Sequence, residues 1–161
     1  LPNDRPHNFK LTGFYTQPIG QKGTLVASLT FSATSGRPIL VLGFHPIYQA
    51  REVYLLPPGA AGRTPTITKF SAHIGYDHRL PRDLRLSLSM DVINLFNQRG
   101  VTNVDDEYTA SVVAPILGGT TRDLAKLRDV NGALPVVNSN FGQPTAYQQP
   151  LFMRFGAKLS F

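Results

Sequence analysis

Apolar and polar side chains alternate in five separate stretches of this chain. In the first, Phe9, Leu11, Gly13, Tyr15 and Gln17 share one register and Asn8, Lys10, Thr12 and Thr16 the other, with Phe14 as an exception. In the second, Leu25, Ala27, Leu29, Phe31 and Ala33 alternate with Thr24, Val26, Ser28, Thr30 and Ser32. The third sets Phe70, Ala72, Ile74 and Tyr76 against Lys69, Ser71, His73 and Gly75; the fourth sets Leu84, Leu86, Leu88, Met90 and Val92 against Arg85, Ser87, Ser89 and Asp91. The fifth runs to the last residue, with Leu151, Met153, Phe155, Ala157, Leu159 and Phe161 on one side, Arg154, Gly156, Lys158 and Ser160 on the other, and Phe152 out of step. A period of two puts each set on its own face of a strand. The pattern predicts strands near residues 8–19, 24–35, 68–76, 84–96 and 151–161.

The connections alternate in length. Gly20 to Gly23 and Asp77 to Asp83, which carries Pro81, are short turns, whereas 36–67 and 97–150 are long. Ordinary domains rarely hold structureless loops above ~15 residues. Outer-membrane barrels combine short periplasmic turns with long external loops, and their last strand shows an apolar face to lipid. The expected fold is therefore all-β: a transmembrane antiparallel β-barrel segment of about five strands with long extracellular loops at 36–67 and 97–150. Leu25, Leu29, Leu86, Leu88, Met153 and Leu159 are expected to face lipid. On this topology the first strand starts outside and the last ends in the periplasm. Single-chain bacterial barrels normally have an even strand count with both ends in the periplasm. Five strands starting outside imply the carboxy-terminal part of a larger barrel, with both sheet edges needing partners.

Composition narrows the alternatives. Charged residues make up 16% and hydrophobic ones 42%, and no apolar run approaches the ~20 residues of a membrane helix. Cysteine is absent, which removes disulfides and thiolate metal sites. The start, Leu1-Pro2-Asn3-Asp4, has neither the basic nor the apolar region of a leader, so a leader removed earlier or a longer parent chain is expected. The net charge of +6 is scattered, without a basic run or an aromatic–basic motif, and no nucleic-acid partner is expected. No nucleophile elbow, P-loop or H-E-x-x-H motif is present, so neither an enzyme nor a cofactor is expected.

Several motifs carry a family resemblance. Asp91-Val92-Ile93-Asn94-Leu95-Phe96-Asn97-Gln98 resembles the "N-L-F-N" end of a late strand in TonB-dependent outer-membrane receptors. Asn140-Phe141-Gly142 and Arg154-Phe155-Gly156 through Phe161 resemble that family's ending. Leu1-Pro2-Asn3-Asp4-Arg5 and Gly62-Arg63-Thr64-Pro65-Thr66 resemble its Oar-type branch. Pro150-Leu151 departs from the Pro-Arg that often opens the family's last strand, and no plug or TonB-box region is present. The resemblance implies a barrel of about 22 strands with a plugged lumen. It also implies a Gram-negative outer-membrane location, a plug and remaining strands supplied elsewhere or by a separate chain, and a TonB energy complex acting through the plug. The transported substrate is not implied.

Candidate functional residues follow. Arg154, Gly156, Leu159 and Phe161 fit the signal that the β-barrel assembly machinery is thought to recognise by strand pairing. Lys10, Lys69, His73, Arg85, Asp91, Arg154 and Lys158 fall on the non-lipid face and are expected to line the lumen, as a basic wall or as partners for plug carboxylates. Asp105-Asp106-Glu107 is expected to be solvated or arginine-paired rather than a calcium site, because it lacks spaced ligands. Thr121 to Leu127, with a capping threonine, an early acid and late cations, predicts one or two helical turns. Two other readings stay open: an oligomeric outer-membrane pore or assembly component, and a soluble β-sandwich binding module.

Overall fold

The computed structural model describes every residue except Pro2, Pro46 and Gln49, so Pro2 of the Leu1–Arg5 motif lies outside the described residues. The chain forms two compact units. One comprises residues 7–34, 68–99 and 148–161; the other comprises 1–6, 35–67 and 100–147. Among the described residues no helix is long and apolar enough to cross a membrane, which says nothing of strands.

The first unit is a five-stranded sheet. Its strands are β1 (Asn8–Ile19), β2 (Gly23–Thr34), β5 (Ile67–Arg79), β6 (Arg85–Ile93) and β10 (Phe152–Ser160), in the order β1-β2-β5-β6-β10. β1 and β2 form an unbroken antiparallel hairpin, with Phe9 opposite Ala33 and Gln17 opposite Leu25. β6 is antiparallel to both its neighbours: Met90 sits between Ile74 and Phe155, and Asp91 between His73 and Arg154. Because side chains alternate, this register places all the apolar series on one face and all the polar series on the other. The sheet is open, and β1 and β10 each keep one unpaired edge.

β5 continues to Arg79, so Asp77, His78 and Arg79 belong to the strand rather than to a turn starting at Asp77. The turn is only Leu80 to Leu84, closed by Leu80 N–H donating to Leu84 O at 2.8 Å. Arg82 and Asp83 carry positive φ angles of 61° and 59°, which lets so short a link reverse the chain.

The Asn94–Gln98 segment ends β6 with a polar clamp. Asn94 is fully buried and left-handed at φ 56°, a conformation that asparagine tolerates better than most residues. Its Nδ2 donates to Gln98 O at 2.9 Å and to Gln149 O at 2.7 Å, and its Oδ1 accepts from Gln98 N–H at 2.9 Å. Asn97, also left-handed at φ 48°, accepts Leu151 N–H at 3.0 Å through its side chain. Leu95 N–H donates to Phe70 O at 2.8 Å. These bonds tie the end of β6 to the start of β5 and to the entry of β10.

The second unit arises from what the alternation leaves as long loops. It contains β3 (Leu42–Phe44), β4 (Val53–Tyr54), β7 (Val101–Val104), β8 (Glu107–Val112), β9 (Pro144–Tyr147) and a 3-10 helix at Thr121–Lys126. β3 pairs antiparallel with β4 and parallel with β8, and β7 pairs antiparallel with β9. Val41, Leu55, Leu56, Val113 and Leu127 form a buried core, against which Tyr108, Ile116, Leu124 and Phe141 pack. Most of 36–67 and 97–150 is therefore not structureless: residues 35–67 and 100–147 belong to a unit with its own core. Thr120, not Thr121, caps the short helix: Asp123 accepts the Thr120 N–H and hydroxyl, both at 3.0 Å. These bonds, the backbone one foremost, hold the Asp123 carboxyl below the usual aspartate range. The cap's contribution is thus present above the unfolded pKa and disappears as pH falls through the folded one.

The two amino-proximal motifs meet in this unit. Arg63 donates to Asp4 O at 2.9 Å and Gly36 O at 3.0 Å and pairs with the Asp4 carboxylate. Gly36 lies so close to Thr64 that a Cβ would fall 1.6 Å from Thr64 O, which excludes every other residue there.

The clamp makes a sharp prediction. Asn94→Ala orphans two carbonyls and one N–H and is expected to destabilise the protein by ~2–4 kcal/mol. Asn94→Asp should cost at least as much, since a carboxylate cannot donate to Gln98 O and Gln149 O. Urea unfolding of the detergent-folded protein measures both; a tolerated aspartate would show that the donors are not what matters.

Candidate functional site

The polar face of the sheet is built in transverse rows. His73, Asp91 and Arg154 lie opposite one another on β5, β6 and β10. His73 Nδ1 meets Asp91 Oδ1 at 2.7 Å, and Arg154 donates to Asp91 Oδ2 from Nε at 3.0 Å and from Nη2 at 2.8 Å. A single carboxylate thus anchors two strands' side chains across the central one. The next row, Gly75, Ser89 and Gly156, is almost bare, and a Cβ on Gly156 would come 2.6 Å from Ser89 Oγ. Asp77, Ser87 and Lys158 follow, with the Ser87 hydroxyl donating to Asp77. Arg79, Arg85 and Ser160 form the last row before the turns.

Of the seven polar-face residues expected from sequence, His73, Arg85, Asp91, Arg154 and Lys158 share the β5–β6–β10 register, at different places along it. Lys10 faces Ser32 on β1 and β2, and Lys69 stands near the start of β5. Arg85 and Lys158 lie toward the turn end. None of Lys10, Lys69, Arg85 and Lys158 joins an ion pair among the described residues. His73 is hydrogen-bonded to Asp91, and among the described residues no three His, Cys, Asp or Glu side chains are grouped to hold a metal. Asp77 and Arg79 were not anticipated on this face, although they continue the odd-numbered polar series that starts at Lys69.

The opposite face is apolar and open. Leu29 on β2 and Leu88 on β6 are 49% and 45% exposed although both strands are interior, so the exposure is not an edge effect. Aromatic rings mark both ends. Phe9, Phe31, Phe70 and Phe96 run in sequence at one end, with centroids 6.1, 4.8 and 5.0 Å apart. At the turn end, Tyr15 and Tyr76 each hydrogen-bond the polar residue two positions on, Gln17 and His78. Arg154, Gly156 and Leu159, expected from sequence to belong to an assembly signal, all lie on the edge strand β10, with Phe161 fully exposed just beyond it.

The acidic cluster of the second unit is divided among separate partners. Asp106 pairs with the buried Arg37 at 2.8 Å, Glu107 with Arg51 at 2.9 Å, and Asp105 accepts Asn138 Nδ2 at 3.0 Å. Phe141 of Asn140-Phe141-Gly142 packs edge-on against Tyr108, with centroids 5.3 Å apart.

No family model and no solved structure matches the chain. Over its whole length, however, it is 37% identical to the TonB-dependent transporter Oar of Myxococcus xanthus. The chain resembles one segment of a transporter. It spans only 16% of that relative's length. The relative is a transporter by name.

A double-mutant cycle tests the central row. Arg154 is 71% exposed and water screens its pair, so the Asp91/Arg154 coupling from alanine variants should be small. Asp91→Ala should cost more than Arg154→Ala, because it releases His73 as well. Equal single-variant losses in detergent unfolding would show that His73 takes no part.

Proposed function

We propose that this chain forms part of the wall of a TonB-dependent outer-membrane transporter in a Gram-negative bacterium. The apolar sheet face meets outer-membrane lipid. The polar face, with Lys10, Lys69, His73, Arg85, Asp91, Arg154 and Lys158, lines the lumen. β1 and β10 pair with the remaining barrel strands, and a plug supplied outside this segment couples transport to the TonB energy complex. The connections 36–67 and 97–150 are extracellular loops. The observation that carries this reading is the exposed apolar face of the interior strands, bounded at both ends by aromatic residues. That is the arrangement a lipid-facing barrel wall requires, whereas soluble monomers rarely leave so large an apolar patch uncovered. The similarity to the Myxococcus transporter along the whole chain supports it further. A soluble β-sandwich would bury this face against a second sheet.

Leu88 and Leu159 test the lipid assignment. Leu88→Arg and Leu159→Arg should each cost ~2–4 kcal/mol if near the bilayer midplane, less toward the interface. The readouts are insertion into vesicles and unfolding from detergent; unchanged insertion in both variants would overturn the topology.

The assembly signal needs a different comparison. A terminal aromatic ring contributes at most a few kcal/mol, roughly the value of burying one such side chain. Deleting Phe161 should therefore barely alter refolding in detergent yet sharply lower outer-membrane levels in cells, if Arg154, Gly156, Leu159 and Phe161 are recognised together. Undiminished levels in cells would remove the signal role.

A further inference from the structure

Between the two short turns of the sheet lies a pocket of about 450 Å³. Lys22 from the β1–β2 turn and Arg79 and Arg85 from the ends of β5 and β6 line it, with Asp83 as its only acid. Arg79 and Arg85 face each other directly in the strand register. Like charges placed so are mutually destabilising. Among the described residues neither arginine joins an ion pair, nor does Lys22. The nearest acid of the polar face, Asp77, instead accepts the Ser87 hydroxyl. Arg79 N–H donates to Lys22 O at 2.8 Å, which fixes the backbone of the third cation beside the pair. Three cations and one carboxylate leave the pocket with a net charge of two positive units, the complement of a dianion. Two guanidinium forks converging from adjacent strands match the oxygens of a phosphate better than a single point charge would.

We propose that this pocket is an oxyanion seat that takes the dianionic phosphate group of a soluble phosphate monoester. The bound anion relieves the repulsion between Arg79 and Arg85 and links the two turns into one rigid rim. The site stands on the pocket's own geometry and does not depend on the transporter reading.

The test uses the complete protein purified in a neutral maltoside detergent, with thermal unfolding as the readout. Inorganic phosphate, against sodium chloride of equal ionic strength, is expected to raise the midpoint by roughly a few degrees. The shift should vanish in Arg79→Gln and Arg85→Gln and shrink in Lys22→Gln, a change in an exposed turn that leaves the strands intact. In chloride alone, Arg85→Gln should be neutral or stabilising, a sign that an ordinary structural arginine would not give. Phosphatidylglycerol vesicles, compared with phosphatidylcholine vesicles, are the control for a lipid headgroup and are expected to give no shift that the arginine variants remove. No shift with phosphate, an equal shift in wild type and both arginine variants, a phosphatidylglycerol shift lost in those variants, or a loss of stability in Arg85→Gln in chloride would each overturn the proposal.

Discussion

The sheet's register depends on Asn94. This buried amide ends β6, holds the chain in a left-handed turn and fastens the backbone that leads into β10 through Gln149. β10 lies at the edge of the sheet and pairs with β6 alone among the described strands, so nothing on its far side corrects an error. A slip of one residue would send Met153, Phe155 and Leu159 to the polar face and Arg154 and Lys158 to the apolar one. The Asp91 row, the bare glycine–serine row and the paired arginines near the turns all presuppose the alignment that this one side chain helps to set.

The motifs that carry the family resemblance turn out to be structural devices. The asparagines of Asn94-Leu95-Phe96-Asn97 supply left-handed turns and side-chain bonds to backbone, and Phe96 extends the aromatic row from Phe70. Asp4 and Arg63, from two separate motifs, meet one another. Phe141 packs on Tyr108. These residues answer to local geometry, and they say little about what a transporter would carry. The chemistry open to this segment resides instead in the less distinctive polar series of β5, β6 and β10.

What could be foreseen from sequence follows the same division. Strands of nine residues or more with sustained alternation, such as β1, β2 and β10, announce themselves, because one period fixes both the element and its faces. β5 was foreseen too short because Asp77 and His78 look like turn residues when the pairing with Ser87 and Leu86 is unknown. The second unit was invisible for a physical reason. β3 and β4 are three and two residues long, too short for any period, and the core residues Val41, Leu55, Val113 and Leu127 come from distant points in the chain. In the Asp91 row, each residue's face was predictable, but the convergence of His73 and Arg154 on one carboxylate required the register of three strands.

The parallel pairing of Leu42 with Glu107 has a bearing on the order of biogenesis. The two stretches that build the second unit are separated in the chain by the whole β5–β6 hairpin. Neither contains the complete core: Val41, Leu55 and Leu56 lie in one, Val113 and Leu127 in the other. The first stretch must therefore wait, with its leucines uncovered, until the second stretch has followed the hairpin. Non-local closure of this kind is slow, and chaperone protection would be most valuable during that interval, well before the last strand arrives.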